Sequence, residues 1–188
     1  VLSLTMNKIS FNIAEIITCT EIEGPHKRLA IWFQGCNLDC FGCFNPEIKL
    51  FKKANIITLV ELLKIIENSK NENNIEGITL IGGEPTLQKH LSILCEEVQK
   101  LELGIMMFTG KLYETLPETL TKHIDLIIDG PFIMSKLDTK RKIIGSTNQR
   151  IINVSNRYLK DISWFENNDE YHYEINIKDK MVINGEAI

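Results

Sequence analysis

Residues 35–44 read GCNLDCFGCF and place Cys36, Cys40 and Cys43 in the spacing C-x3-C-x2-C. The chain has five cysteines, and the other two, Cys19 and Cys95, lie far from this group in the sequence. An odd number of cysteines with three of them clustered argues against a secreted disulfide framework. The clustered thiols instead indicate a metal centre.

Three thiols restrict the kind of centre. A structural zinc site closes with four ligands, and the sequence offers no second cysteine pair and no H-x3-5-H pair, although one distant histidine remains an alternative fourth ligand. A disulfide would use two thiols and leave the third. A [4Fe–4S] cluster normally takes four cysteines, so three would leave one iron open to a group from outside the protein. We therefore interpret the motif as a [4Fe–4S] site with an open iron.

The cysteine motif directly follows a predicted strand. Residues 29–34, LAIWFQ, form an apolar run that leads straight into the motif. Gly35 and Gly42 allow the backbone to fold tightly around a bulky group. In α/β folds the chemistry lies at the carboxyl ends of strands, and this is where the motif is predicted to lie.

Apolar strands alternate with amphipathic helices along most of the chain. Strands are predicted at 29–34, 77–82, 103–108, 124–129 and 150–155, and helices at about 58–69, 87–101 and 111–122. Continuous apolar runs are typical of strands buried on both faces, and their alternation with helices implies a parallel sheet with right-handed crossovers. About five strands cannot close an eight-stranded barrel. We expect an α/β fold, a small open or partial (β/α) barrel of about five to six mostly parallel strands.

Single residues refine this prediction. Thr58 and Glu61 match a capping box for the first helix, and Pro117 should interrupt the third. Cys95 falls in the apolar stripe of the second helix, so we expect it in the core. Cys19 lies in a β-like stretch and is also expected to be structural.

The tail differs from the rest of the chain. Tyr171, Tyr173, Ile175 and Ile177 alternate with polar residues before a KDK turn, which predicts a C-terminal β-hairpin. We expect a single domain over residues 1–188, with its core at about 10–155 and a C-terminal extension with the hairpin at about 156–188.

Composition excludes several classes of protein. The 188 residues are 44% hydrophobic and 24% charged, with a net charge of −4. The only basic cluster, at 136–142, is interpreted as a solvated loop, so we expect no nucleic-acid partner. Neither a membrane span nor a signal peptide is recognisable, so we expect a cytoplasmic protein without a membrane partner.

A second glycine motif, GGEP, occupies residues 82–85 at the end of a predicted strand. Gly82 and Gly83 expose backbone groups to a ligand without side-chain obstruction, Glu84 adds a carboxylate, and Pro85 fixes the turn. Taken alone, the motif is compatible with an ordinary strand-to-helix turn. Its position about forty residues after the cysteines favours a ligand site.

Together these residues resemble the radical S-adenosylmethionine superfamily, whose C-x3-C-x-φ-C motif is matched by the three cysteines. The φ position is usually aromatic and is Gly42 here, as in the branch of glycyl-radical activating enzymes. Within that branch the chain resembles the anaerobic ribonucleotide reductase activating proteins. The similarity covers roughly residues 10–155 and is carried by residues 23–47, 79–88, 125–132 and 145–154.

The resemblance implies a mechanism with two cofactors, a [4Fe–4S] cluster and S-adenosylmethionine. The methionyl amine and carboxylate would chelate the open iron, while Gly82 and Gly83, with Glu84 nearby, would hold the amino group. One electron would yield methionine and a 5′-deoxyadenosyl radical that abstracts a hydrogen atom. The implied partners are a glycyl-radical enzyme such as anaerobic ribonucleotide reductase, and an electron donor such as flavodoxin or ferredoxin.

Further candidates surround these motifs. A hydroxyl at Thr109 would reach the carboxylate or ribose of the ligand, with a helix N-cap as the alternative. Asp129 would bond a ribose hydroxyl, with a turn aspartate as the alternative. The segment GSTNQR at 145–150 matches the branch motif and adds candidates that would bind the methionine carboxylate or lock the cluster loop, with local capping as the alternative: Ser146, Asn148, Gln149 and Arg150.

Two other functions remain open. One keeps the radical chemistry but acts on a small molecule or a peptide, as in the 7-carboxy-7-deazaguanine synthases, which share a similar GCN-L-x-C opening; a neighbouring gene for a glycyl-radical reductase would discriminate against it. The other is a non-catalytic iron–sulfur or zinc protein, which would not cleave S-adenosylmethionine.

Overall fold

The computed structural model describes residues 8–166, 173–177 and 181–185. One sheet of seven strands dominates it. The strands are β1 Ser10–Thr20, β2 Arg28–Phe33, β3 Asn55–Thr58, β4 Gly77–Gly82, β5 Gly104–Thr109, β6 Leu126–Asp129 and β7 Arg150–Asn153. Their order across the sheet is β3-β1-β2-β4-β5-β6-β7, with both edges open.

The middle of the sheet is parallel and its margins are antiparallel. Strands β2, β4, β5 and β6 run parallel to one another. Strands β1 and β3 on one side and β7 on the other are antiparallel to their neighbours. This confirms the predicted open α/β fold. The sheet has seven strands rather than five or six because β1 and β3 extend it.

The predicted strand at 150–155 is shorter than expected and ends at Asn153. It also runs antiparallel to β6, whereas the regular alternation suggested a parallel strand. A parallel pair needs a crossover connection, usually a helix. The segment from 130 to 149 supplies only a loop with the short 3-10 turn Met134–Lys136, so the chain turns back beside β6.

Three α-helices cover the sheet: α1 Leu59–Asn73, α2 Leu91–Lys100 and α3 Glu118–Thr121. The capping box at Thr58 and Glu61 is confirmed. Helix α2 begins later than predicted because Pro85–Leu87 form a separate 3-10 turn. The third helical segment is interrupted at Pro117 as predicted, with a 3-10 turn at Tyr113–Thr115 before the proline and α3 after it.

The main core lies between the sheet and α1 and α2. Phe33 is fully buried there and packs near Phe11, with ring centroids 6.3 Å apart. Cys95 of α2 is also fully buried in this core, as predicted. Burial raises the pKa of the Cys95 thiol far above its usual range, so this cysteine is held as a neutral thiol.

A buried arginine links neighbouring parallel strands by hydrogen bonds at their amino ends. Arg28, the first residue of β2, donates to Thr79 Oγ1 at 2.8 Å and to the carbonyl of Ile78 at 2.7 Å. It also donates to the Tyr158 hydroxyl at 2.9 Å, and that hydroxyl donates to Glu76 at 2.6 Å. A buried charge is tolerated when it is paired and hydrogen-bonded, as it is here. This network lies at the opposite end of β2 from the cysteine motif.

The C-terminal hairpin is confirmed. Strand β8, Tyr173–Ile177, pairs antiparallel with β9, Met181–Gly185, in a separate two-stranded sheet. Tyr171 and the KDK turn at 178–180 lie outside the described residues. Among the helices that the structure describes, none has both the length and the apolar character needed to cross a membrane.

Candidate metal centre and ligand site

The cysteine loop begins at the carboxyl end of β2. Its first two residues are hydrogen-bonded to the segment that directly follows the loop. The N–H of Gly35 donates to the carbonyl of Ile48 at 2.8 Å, and that of Cys36 donates to the carbonyl of Lys49 at 3.0 Å. The side chain of Gln34 donates to the same Ile48 carbonyl and to the carbonyl of Leu50. The first thiol is therefore held by backbone on a rigid strand end.

All three clustered thiols are half-buried. The N–H of Leu38 points at Cys36 Sγ, with the nitrogen 3.4 Å from the sulfur. Such donors to sulfur are one of the means by which a protein tunes an iron–sulfur cluster. Burial raises the pKa of Cys36, and the negative charges of Glu84 and the other two thiols add to the rise. A bound metal centre would instead lower the pKa of Cys36, because it binds the thiolate.

Three thiols on one loop are the donors that an iron–sulfur cluster takes. In the part of the chain that the structure describes, no three His, Cys, Asp or Glu side chains are grouped closely enough to hold one metal ion. A [4Fe–4S] cluster takes one thiolate on each iron, so its ligands are spread over a larger body. The turns that let the loop surround such a body occur at Gly35 and Gly42, whose φ angles are +100° and +72°.

The GGEP turn is packed backbone-to-backbone against the start of the cysteine loop. The N–H of Gly83 donates to the carbonyl of Phe33, and that of Glu84 donates to the carbonyl of Gly35, both at 2.9 Å. A Cβ on Gly82 would overlap the backbone of Phe33, and one on Gly83 would overlap the carbonyl of Gly35. The close approach of the two backbones thus requires both glycines, a reason that adds to the ligand access and the strand-to-helix turn considered from the sequence.

The carboxylate of Glu84 is buried and fully engaged inside the protein. Its Oε1 accepts hydrogen bonds from the hydroxyls of Thr86 and Thr109 at 2.7 and 2.8 Å, and its Oε2 accepts from the N–H of Gly110 at 3.0 Å. The N–H of Thr86 also donates to Oε1, at 3.1 Å. Glu84 and Thr109 therefore join the GGEP turn to the end of β5.

Asp129 is the last residue of β6 and Arg150 is the first residue of β7, and the two lie opposite each other in the sheet. The buried Asp129 accepts from the N–H of Tyr113 at 2.7 Å and from Arg150 Nε at 2.9 Å, and the guanidinium makes a second contact with the same carboxylate. Arg150 also donates to both carboxylate oxygens of Glu114, at 3.0 and 2.8 Å. Hydrogen bonds to Asp129 and then Glu114 raise the pKa of Arg150. The two predicted candidates thus form an ion pair.

Ser146 and Asn148 hold the loop that follows β6. Ser146 Oγ accepts from the N–H of Ile133 at 3.2 Å, and the amide of Asn148 donates to the carbonyl of Pro131 at 2.8 Å. Asn148 Oδ1 is buried and has no hydrogen-bond partner among the described residues. An orphaned acceptor of this kind is suited to a ligand donor.

The segment 131–135 faces the cysteine loop, and only its first two residues belong to a stretch that carries the resemblance. A surface cavity between them is lined by 38–41 on one side and 131–135 on the other. The rings of Phe44 and Phe132 lie 4.9 Å apart across this junction. Phe33, just before the cysteine loop, is buried in the main core, whereas Phe41 within the loop is 85% exposed. A sequence signal for this contact was absent because the two segments are about ninety residues apart.

An open α/β sheet that carries three thiols at its carboxyl edge defines a cluster-binding class of protein. Comparison with known proteins agrees. The chain belongs to the family described as "4Fe-4S single cluster domain", whose profile matches residues 22–152.

Relatives make the class more specific. The anaerobic ribonucleoside-triphosphate reductase-activating protein of Enterobacteria phage T4 is 29% identical over 150 residues, which is 74% of this chain and 92% of that protein. The pyruvate formate-lyase-activating enzyme of Clostridium pasteurianum is 34% identical over 113 residues, 57% of this chain and 46% of that enzyme. The crystal structure of QueE from Escherichia coli gives a TM-score of 0.48 at 15% identity, over 67% of this chain and 73% of that one.

The family and the relatives from phage T4 and Clostridium pasteurianum confirm the predicted resemblance. The chain is an enzyme of the radical S-adenosylmethionine type, with a [4Fe–4S] cluster and S-adenosylmethionine as its cofactors.

Proposed function

We propose that this enzyme activates a glycyl-radical enzyme by abstracting a hydrogen atom from a backbone glycine of that partner, and that the partner is an anaerobic ribonucleotide reductase. The observation that carries the proposal is the contact between the cysteine loop and the GGEP turn through Gly35 and Gly83, since it would place metal and ligand side by side. The name of the phage T4 relative supports the choice of partner.

Cys36, Cys40 and Cys43 would hold the cluster. When bound, the cluster and S-adenosylmethionine supply the electron and the 5′-deoxyadenosyl radical. The amino group of the ligand needs hydrogen-bond acceptors. Because the N–H groups of Gly83 and Glu84 are used within the protein, the carbonyls of the glycine pair are the groups that would accept from this amine.

The remaining candidates would act in two ways. Glu84 and Thr109 would position the glycine turn, since their polar groups bond to each other and to neighbouring residues. Asn148 would contact the ligand directly through its orphaned Oδ1. Asp129 and Arg150 would fix the end of β6 next to the ligand, while Ser146 would fix the loop after it.

The reaction consumes one electron that the chain does not supply. We propose that a small electron-transfer protein such as flavodoxin or ferredoxin delivers it to the exposed side of the cysteine loop, where Phe41 is 85% exposed. The proposed setting is the cytoplasm, where thiols stay reduced, without nucleic-acid or membrane partners.

The test is anaerobic and has two stages. The protein is reconstituted with iron and sulfide, then mixed with dithionite and S-adenosylmethionine, and 5′-deoxyadenosine is measured by chromatography. An anaerobic ribonucleoside-triphosphate reductase is then added, and a glycyl radical is sought by electron paramagnetic resonance. We expect both the nucleoside and the radical. Nucleoside without a radical in the reductase would reject the proposed partner, and cluster without nucleoside in either stage would reject the proposed chemistry.

A further inference from the structure

One position of the cysteine motif has no side chain. Gly42 stands between Cys40 and Cys43, where the radical S-adenosylmethionine motif usually carries an aromatic residue. Its φ of +72° lies in the left-handed region, which favours glycine. The loop therefore has no side chain at the residue directly before Cys43 and two residues after Cys40.

Met134 lies against the vacant side of Gly42. A Cβ on Gly42 would come within 3.0 Å of Met134 Sδ, 3.3 Å of its Cγ and 3.6 Å of its Cβ. The whole methionine side chain thus runs alongside the glycine. Met134 also lines the cavity that contains Cys40.

The position of Met134 is fixed by the loop that carries it. Met134 begins a 3-10 turn, and the residue before it, Ile133, donates its N–H to the buried Ser146. The bridge between Leu137 and Ser146 fastens the other end of the turn. The thioether is therefore presented to the cysteine loop by a loop held at both ends.

We propose that Met134 replaces the missing aromatic residue as a positioning residue, which shields the thiol-bound cluster from water and thereby sets its reduction potential. This inference rests on the cluster of the proposed function, and it concerns a residue about ninety positions away from the cysteine motif. The thioether suits the role because it is apolar, polarisable and flexible enough to fill an irregular gap.

The direction of the effect follows from charge. Three thiolates give the cluster a net negative charge, and reduction makes that charge larger. Water stabilises the more highly charged state, so a shielded cluster is harder to reduce than an exposed one. Removing the Met134 side chain should admit water beside Cys40 and shift the midpoint potential to a more positive value.

The experiment is a redox titration of the reconstituted full-length protein, followed by electron paramagnetic resonance of the reduced cluster. Met134→Ala is compared with Leu137→Ala, which removes a side chain of similar exposure from the same loop, 45% against 48%, but outside the cavity lining. We expect a positive shift for Met134→Ala alone. Met134→Leu, which keeps the apolar volume, should restore most of the original potential.

A second measurement tests the contact itself. Gly42→Ala should lower the melting temperature through its φ and through the tight contact of the added methyl group with Met134 Sδ, at 3.0 Å, and Met134→Ala should remove the second effect. We expect the double variant to be more stable than the sum of the two single losses predicts.

The possible results distinguish a failure of the role proposed for Met134 from a failure of the proposed function. An unchanged potential in Met134→Ala, or an equal shift in Leu137→Ala, would overturn the role of Met134 and leave the cluster intact. Additive losses of stability would overturn the contact. If the wild-type protein assembles no cluster at all, the proposed function and the inference both fail.

Discussion

The hydroxyl of Thr109 donates to the carboxylate of Glu84 at 2.8 Å, which joins the end of β5 to the glycine turn that follows β4. The same carboxylate accepts from Thr86 within the turn, at 2.7 Å. One buried acidic group thus sets the position of the turn relative to two neighbouring strands. Because the turn also contacts Gly35, the shape of the proposed ligand site depends on this carboxylate.

The two threonine hydroxyls offer a matched pair of variants. Thr109→Val and Thr86→Val each remove one hydrogen bond to Glu84, so each should cost about 1.5–3 kcal/mol of unfolding free energy. Only Thr109 spans two strands, so we expect Thr109→Val alone to weaken S-adenosylmethionine binding several-fold. Urea unfolding and isothermal titration calorimetry would measure the two effects. Equal affinities in the two variants would contradict a positioning role for Thr109.

Gly83→Ala should disrupt the cysteine loop, because the added methyl group would overlap the carbonyl of Gly35. Overpacking of this kind costs about 1–3 kcal/mol or displaces the neighbour. We expect reconstituted iron and sulfide per chain to fall several-fold. Gly130→Ala is the control: its Cβ has only ordinary contacts at 3.8 Å, although its φ of +102° carries strain. A full iron content in Gly83→Ala would show that the close approach is not required.

The roles of the cysteines are separable. Cys40→Ala should abolish formation of 5′-deoxyadenosine while leaving the circular dichroism spectrum largely unchanged, since the half-buried Cys40 lies on a loop outside the core. Cys95→Ala should leave formation of 5′-deoxyadenosine unchanged and destabilise the fold, because Cys95 is a fully buried core residue. It should also keep the cluster. Retention of full activity in Cys40→Ala would contradict the cluster assignment.

Arg150 joins two carboxylates that differ in burial, Asp129 with a fully buried side chain and Glu114 with a side chain 62% exposed. Breaking the pair with an exposed carboxylate costs little, whereas leaving a buried carboxylate without its cation is costly. We therefore expect Arg150→Ala to destabilise the protein clearly more than Glu114→Ala does. Thermal unfolding would measure both. Similar losses in the two variants would mean that Asp129 gains little from Arg150.

Tyr158→Phe should reduce stability without affecting the chemistry. It removes the hydroxyl that accepts from Arg28 and donates to Glu76, and two lost hydrogen bonds to charged groups should cost about 1–3 kcal/mol, although Arg28 still donates directly to Glu76. This network lies at the amino end of the strands, away from the thiols. Yields of 5′-deoxyadenosine at a temperature where the variant is folded should match the wild type. A large loss of activity there would reveal coupling between the two ends of the sheet.

The sequence by itself determined the cysteine motif, the GGEP turn and the four parallel strands, because these signals are local. An apolar run, a capping box at Thr58 or a C-x3-C-x2-C spacing is read within a few residues. The edge strand β3 was missed since Asn55–Thr58, with four residues, is too short to give such a signal. The direction of β7 was missed because it depends on whether the preceding loop crosses over the sheet.

Only the tertiary structure decided what the motif residues touch. The engagement of Glu84 with Thr109, the pairing of Asp129 with Arg150 and the position of Met134 beside Gly42 each join residues that are distant in the chain. Strand register and loop packing bring such residues together, and neither is encoded by the spacing around any one motif. The sequence therefore determined which groups are present at the candidate site, and the fold decided which of them hold one another in place.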